Sequence, residues 1–461
     1  MPTTTPASSN GGTLDVQALV SQLMAIERQP IDKLNTKVTS YQSKISSFGT
    51  LKGLASGFQT AVQGLKTSLG GFSATASDTS VFSASAASTA TAGSYSINVT
   101  TLAKASKLAA AGQFSDTAPI GAGVSTVRFT VGTTDTDIAI AAGATLQDIR
   151  TAINAANIGV TATIINAGGA TPYRLALSSN STGLSNAINK ITVLTGGDAD
   201  INNLLAYNPT ENAPAPAPAV PMAQTVAAAN ADFTINGIQI IKSSNTVTDA
   251  IEGVTLTLSK ESTPATLTVA RDTGAISTAA AGFVDAYNAL TSQLKSRSAY
   301  GSATTAAPVL AGDGTVRIML DQLRGIFLTG ASGGTLTTLS QVGIAIQADG
   351  TLKLDSSKLT GAIANDFADV TNLFSGATGF ATRLDTWATS VVQGGGLIDA
   401  RTTSLNTSIK EYNDRISRLE VRMTFLQKQY TSTYSRLNSL LASMDSTSAY
   451  LTQQFSKGQS S

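Results

Sequence analysis

Residues 405–444 read LNTSIKEYNDRISRLEVRMTFLQKQYTSTYSRLNSLLASM, and this stretch decides the architecture. With Ile409, Ile416, Met423, Tyr430, Leu437 and Met444 at heptad position a, the residues Leu405, Tyr412, Leu419, Leu426, Thr433 and Leu440 fall at d. Only Thr433 breaks the apolar rule, so the pattern predicts a long coiled-coil helix. At 1.5 Å per residue it would run on the order of 70 Å, well beyond the needs of one globular core. At about 1.5 kcal/mol per buried apolar side chain, the seam is worth on the order of 16 kcal/mol, which a lone helix in water forfeits. Val421 and Phe425 lie off the seam and add a second apolar flank, which calls for more than one partner helix.

The other end of the chain carries a matching stripe. From Ile31 the apolar residues Leu34, Val38, Tyr41, Ile45 and Phe48 follow at alternating steps of three and four. Pro30 fits a first helical position, with a shorter helix through Leu14, Val16, Leu19, Val20 and Leu23 before it. The phase is expected to slip near Lys52 and resume through Phe58, Val62, Leu65 and Leu69, with Gly70-Gly71 as the stop. The two stripes are the expected contact surface for other subunits: Leu405, Ile409, Tyr412, Ile416, Leu419, Met423, Leu426, Tyr430, Leu437, Leu440 and Met444 at one end, Leu34, Val38, Tyr41, Ile45 and Phe48 at the other.

Between the ends the pattern is β. Val81 to Val99 alternates small apolar and hydroxyl residues, closing on Tyr95-Ser96-Ile97-Asn98-Val99, and a similar phrase returns at Phe233-Thr234-Ile235-Asn236. Thr145-Leu-Gln-Asp148 and Thr246-Val-Thr-Asp249 both match a capping box, so each is expected to open a short helix. The strand Val160–Ile165 follows the first and Val254–Leu258 the second, which reads as a loose duplication of strand, capped helix and strand. A proline-rich connector over 211–222, with Pro214, Pro216, Pro218 and Pro221, separates the copies. From Gly274 the pattern is helical again, and Gly394-Gly395-Gly396 reads as a hinge before the last helix.

Composition removes whole classes of chemistry. The 461 residues contain no Cys and no His, which excludes disulfides, thiolate nucleophiles, Cys/His zinc sites and imidazole bases. With 30 Lys+Arg against 29 Asp+Glu, the net charge of +1 argues against a general nucleic-acid binder. No run of about 18 apolar residues occurs, so no membrane insertion is expected. The start, MPTTTPASSNGG, lacks the basic and apolar regions of a secretory signal. Asp198, Asp200 and Asn202 begin like a calcium loop, but Asn203 and Pro209 stand where Gly and Glu are required, so a solvated loop is expected. Asp135 and Asp137 read as a turn, Gly312-Asp313-Gly314 as a tight turn, and no carboxylate pair stands out for glycan hydrolysis. No catalytic residue, metal or cofactor is expected.

Several phrases resemble a known family in order along the chain. Leu14-Asp15-Val16 through Leu23-Met24, Glu27 and Pro30 resembles the opening of bacterial flagellar filament-capping proteins, the second hook-associated protein family. Tyr95-Ser96-Ile97-Asn98-Val99-Thr100-Thr101-Leu102-Ala103 is similar to their β segment, and Phe233 to Gly237 running on to Ala250-Ile251-Glu252-Gly253-Val254-Thr255-Leu256 looks like their flagellin-type IN motif. Phe283-Val284-Asp285-Ala286-Tyr287-Asn288, Gly343-Ile344, Asp349-Gly350-Thr351-Leu352 and the final coiled coil match as well. The resemblance implies export through the flagellar apparatus with a secretion chaperone, and a homo-oligomeric ring at the distal filament tip. It also implies contact with flagellin and with hook-associated junction proteins, and a non-enzymatic role in flagellin insertion. The expected fold is α+β and multidomain, a discontinuous helical leg with coiled-coil termini plus two β-rich head domains. The boundaries are 1–40 with 402–461 for the coiled coil, 41–72 with 274–401 for the rest of the leg, 73–112 with 230–273 for one head domain and 113–229 for an inserted outer one. An adhesin binding mucin or host glycans through the outer domain is the alternative from another class.

Overall fold

The computed structural model describes residues 15–209, 222–261, 264–299 and 307–458. The chain forms two compact units, one from residues up to Leu69 together with Ile276 onward, the other from Gly70–Ala275. The fold is α+β, with a helical leg built from both ends of the chain and a β-rich head from its middle. The expected proline-rich connector lies, apart from Met222, outside the described residues.

Elements are numbered in chain order. Helix α1 (Val16–Ser68) starts where the Asp15 side chain accepts the Ala18 N–H at 3.0 Å and ends at Leu69, just before the two glycines. The two helices expected on either side of Pro30 are one. Proline removes a single N–H donor and crowds the carbonyl of Ile26, and both residues face solvent, where water can satisfy that carbonyl. The phase slip expected at Lys52 is also absent. Buried Phe48, Leu51, Ala55, Phe58, Val62 and Leu65 keep steps of three and four throughout, with the small Ala55 filling the position that the sequence reading passed over.

The head follows. Its first module pairs β1 (Phe72–Ala76), β3 (Gly93–Thr101), β11 (Ala231–Ile235), β12 (Ile238–Lys242) and β15 (Ala265–Arg271) in one sheet of order β1-β15-β3-β11-β12. A second sheet has the order β13-β14-β2, from β2 (Phe82–Ala86), β13 (Thr246–Ile251) and β14 (Val254–Leu258). Phe82, Ile97, Phe233, Leu256 and Leu267 share its core. The second module has two sheets. One is β6-β5-β9, from β5 (Ser125–Val131), β6 (Thr134–Ile140) and β9 (Ile188–Val193). The other is β10-β4-β8-β7, from β4 (Lys107–Ala110), β7 (Val160–Asn166), β8 (Tyr173–Ser179) and β10 (Met222–Val226). Helices α2 (Leu146–Ala155) and α3 (Ala199–Leu205) complete a core around Phe129, Ile149, Leu175 and Ile201.

Of the two expected capped helices, one forms. At α2 the Thr145 hydroxyl accepts the Asp148 N–H at 3.2 Å, and the Asp148 carboxylate accepts the Thr145 N–H at 2.9 Å. Leu146, Ile149 and Ile153 then put one apolar face on the core. Thr246 to Asp249 belong instead to strand β13, a correction to the duplication reading. The run Thr246-Val247-Thr248 is β-branched and alternates about a single buried Val247, and Asp249 turns to Lys242 at 2.6 Å and not to a helix terminus. Asp198, expected in a solvated loop, caps α3 through the Asp200 N–H at 2.8 Å and accepts the N–H groups of Ala122 and Gly123, both at 2.9 Å. Asp135 and Asp137, expected in a turn, lie on β6, where Asp137 grips Arg128 at 2.7 and 2.8 Å and Asp135 accepts the Thr130 hydroxyl.

The chain then returns to the leg through α4 (Thr273–Ser298), α5 (Gly314–Leu328), the hairpin β16 (Ile344–Ile346) and β17 (Leu352–Leu354), α6 (Ser356–Asn365), α7 (Phe367–Ser375), α8 (Phe380–Val392) and α9 (Leu397–Gly458). Phe58 of α1 packs with its ring 5.8 Å from Phe283, 6.1 Å from Tyr287 and 6.1 Å from Trp387. Gln59 and Gln63 both donate to Asp385, tying α1 to α8. The expected glycine hinge at 394–396 is a bonded corner: the Gly396 N–H reaches the Gln393 carbonyl at 3.0 Å, and a Cβ on Gly396 would stand 2.5 Å from the Ser390 carbonyl oxygen.

Candidate assembly interface

The leg extends as an antiparallel pair of α1 and α9. Arg28 meets Glu420 at 2.7 Å, the Tyr41 and Tyr412 rings lie 5.6 Å apart, and Lys37 stands 5.6 Å above the Tyr412 ring. The Tyr430 hydroxyl reaches Glu27 at 3.5 Å. The Tyr41 phenol is held above the usual tyrosine range, first by its side-chain hydrogen bond with Tyr412 and then by burial.

This pairing sorts the expected interface residues. Phe48, Leu405, Leu34, Val38 and Met423 are buried inside the leg itself. That corrects their expected role as surface for other subunits, because α1 supplies the second helix of the seam. Tyr41, Ile45, Ile409, Tyr412, Ile416, Leu419, Leu426 and Tyr430 are half-buried along the same seam. Leu437, Leu440 and Met444 are exposed, the last two at 57% and 60%. Ile31 and Val20, outside the expected interface residues, are buried in the seam. Ile31 stands three residues before Leu34, a spacing that marks it as part of the stripe.

Toward the start of α1 the seam opens. Val16, Val20 and Met24 face Met423, Gln427, Thr431 and Ser435 across a groove of about 760 Å³, where polar side chains of α9 replace the apolar ones a closed coiled coil needs. Beyond Ser435, α9 runs on past the start of α1. Residues 436–458 would measure about 35 Å at 1.5 Å per residue. Every side chain from Ala442 to Phe455 is exposed, including Tyr450, Leu451 and Phe455. Hydroxyls on this rod bond back to its own carbonyls: Ser439 to Ser435, Thr447 to Ser443 and Thr452 to Ser448, at 2.8 to 3.0 Å. No group of three or more metal-binding side chains is found among the described residues.

A leg closed by the two ends of the chain, an inserted β-rich head and an exposed helical rod define a multidomain α+β protein. The family model described as "Flagellar hook-associated protein 2 C-terminus" matches residues 228–446, and its N-terminal counterpart matches 12–106. The chain is 35% identical to flagellar hook-associated protein 2 of Escherichia coli strain K12, covering 98% of each, and 31% identical to the B-type protein of Pseudomonas aeruginosa, covering 93% of each. The solved D1-D2-D3 domains of the flagellar cap protein FliD from Escherichia coli are 36% identical and superpose with a TM-score of 0.65, over 78% of this chain and 99% of that one. The chain belongs to the flagellar hook-associated protein 2 family. The flagellin hook IN motif matches residues 126–181, not the 233–256 stretch assigned to it from the sequence. The matched segment holds the capped helix α2 between its strands, whereas 233–256 has a strand in that place.

Proposed function

We propose that the chain caps the distal end of the flagellar filament, as a ring of identical subunits whose projecting rods are completed by ring neighbours and by flagellin. As a member of the family it is a flagellar cap protein; the ring, the promotion of flagellin insertion and the secreted, tip-bound location are our reading. The observation that carries it is the exposure of Leu437, Leu440, Met444, Tyr450, Leu451 and Phe455 on the part of α9 that passes the start of α1. Large apolar side chains exposed at this density along one helix mark an interaction site, and a closed ring needs one heterologous interface repeated by rotation. The role is structural, with the head domains at 73–112 with 230–273 and at 113–229 read as the outer plate. No observation favours glycan binding by the outer module, and it is not proposed.

A chain ending at Ser435 keeps the α9 residues that line the groove against the start of α1 and loses the rod. In light scattering it should form a smaller assembly than the full chain, and with purified flagellin it should no longer support filament growth. An unchanged assembly that still promotes growth would refute the reading.

A further inference from the structure

The face of α9 turned away from α1 carries a second feature. Val421 and Phe425 are 73% and 66% exposed. At 100° per residue, Lys428, Val421, Phe425, Arg418 and Arg422 fall within an arc of about 120° centred away from the buried Met423, and Arg415 stands at its edge toward the seam. All four cations are exposed, and none forms an ion pair among the described residues. Between Arg415 and Lys428 the only anion is Glu420, which Arg28 holds on the α1 side; one turn earlier Asp414 and Glu411 also fall on this arc, so the face carries four cations against two anions.

A merely solvated flank accounts for the arginines but not for a phenylalanine and a valine set among them one turn apart. We propose that this face docks an acidic amphipathic helix of a different polypeptide. The apolar side of such a helix covers Val421 and Phe425, and carboxylates along its edges meet the four cations. A second copy of the same face is excluded as the occupant, because it would set four cations against four. The inference rests on the leg being an assembly surface and adds the chemistry of what it selects.

The test uses the full-length chain and a fluorescent three-heptad peptide of repeat Leu-Glu-Glu-Leu-Ala-Glu-Leu, against a twin with Lys at every Glu. Anisotropy should show binding of the acidic peptide only, weakening about tenfold as salt is raised from low to high. R418E/R422E should reverse the preference, and V421S/F425S should weaken binding at least about tenfold. Helix content by circular dichroism checks that these outward-facing variants stay folded. Equal binding of both peptides, unchanged binding by V421S/F425S, or equally tight binding of a single-stranded oligonucleotide would overturn the proposal. Light scattering on the same samples separates the two readings. An intact oligomer without peptide preference sinks only this inference, whereas a wild-type chain that stays monomeric sinks the cap.

Discussion

Asp198 shows how much one side chain can organise. The N–H groups of Gly123, then Asp200 and Ala122, hold its carboxyl below the usual carboxylate range. They join the loop before β5 to the start of α3. A carboxyl whose folded pKa is depressed adds stability that is fully present above the unfolded value, about 3.9, and is lost as pH falls through the folded one. Thermal melts of the outer module should therefore drop below about pH 4 more steeply in the wild type than in Asp198→Asn, which keeps an acceptor oxygen but has no charge to titrate. Identical acid profiles would show that Asp198 is not part of that loss. Asp313 plays a comparable part in the leg: its nearly buried carboxylate caps α5 through the Thr315 N–H and holds Arg401 of α9 at 2.8 Å. Asp313→Ala removes the cap and strands the guanidinium, and should cost the leg about 2–3 kcal/mol in urea denaturation. The sequence placed Asp313 in a tight turn and showed nothing of Arg401, since a contact spanning 88 positions leaves no local pattern.

At the level of elements, legibility followed how local the determining physics was. The α9 heptads, the α2 capping box and the glycine stop after α1 were all readable because neighbours a few residues apart decide them. The phrases that carried the family resemblance prove to be mutual contacts: Asn288 exchanges two hydrogen bonds with Leu352, and Asn236 two with Ser96. What failed was decided from elsewhere. Thr246–Asp249 satisfies the local rule for a helix start yet joins a sheet, because β14 offers it a ladder. Pro30 satisfies the rule for a helix start yet sits mid-helix, because α9 provides burial on both sides of it, at Val20 and at Ile31 and Leu34. A proline interior to a helix is unfavourable by about 3 kcal/mol relative to alanine. Pro30→Ala should accordingly raise the stability of the leg by about 1–3 kcal/mol in denaturant melts. A fall in stability would mean that the proline sets a bend on which the α1–α9 seam depends.

On the scale of the whole chain, the head enters and leaves by neighbouring strands. Phe72 of β1 lies opposite Arg271 of β15, and the Asp272 N–H reaches the Gly71 carbonyl at 3.2 Å. A unit whose two ends are stapled side by side, with its own cores, should fold when cut free. Residues 70–275 expressed alone should give a cooperative melt and native-like circular dichroism; a fragment without a cooperative transition would show that the leg is needed to form it. The rod of α9 is different in kind. The hydroxyls of Ser439, Ser443, Ser446, Thr447 and Thr452 have already given their hydrogens to the preceding turn, so enclosing them strips few unmet donors of solvent. The same back-bonding weakens a helix that stands alone. Threaded through a narrow passage, such a segment would resist unwinding only feebly, and once laid against an apolar neighbour it would shed its hydration cheaply.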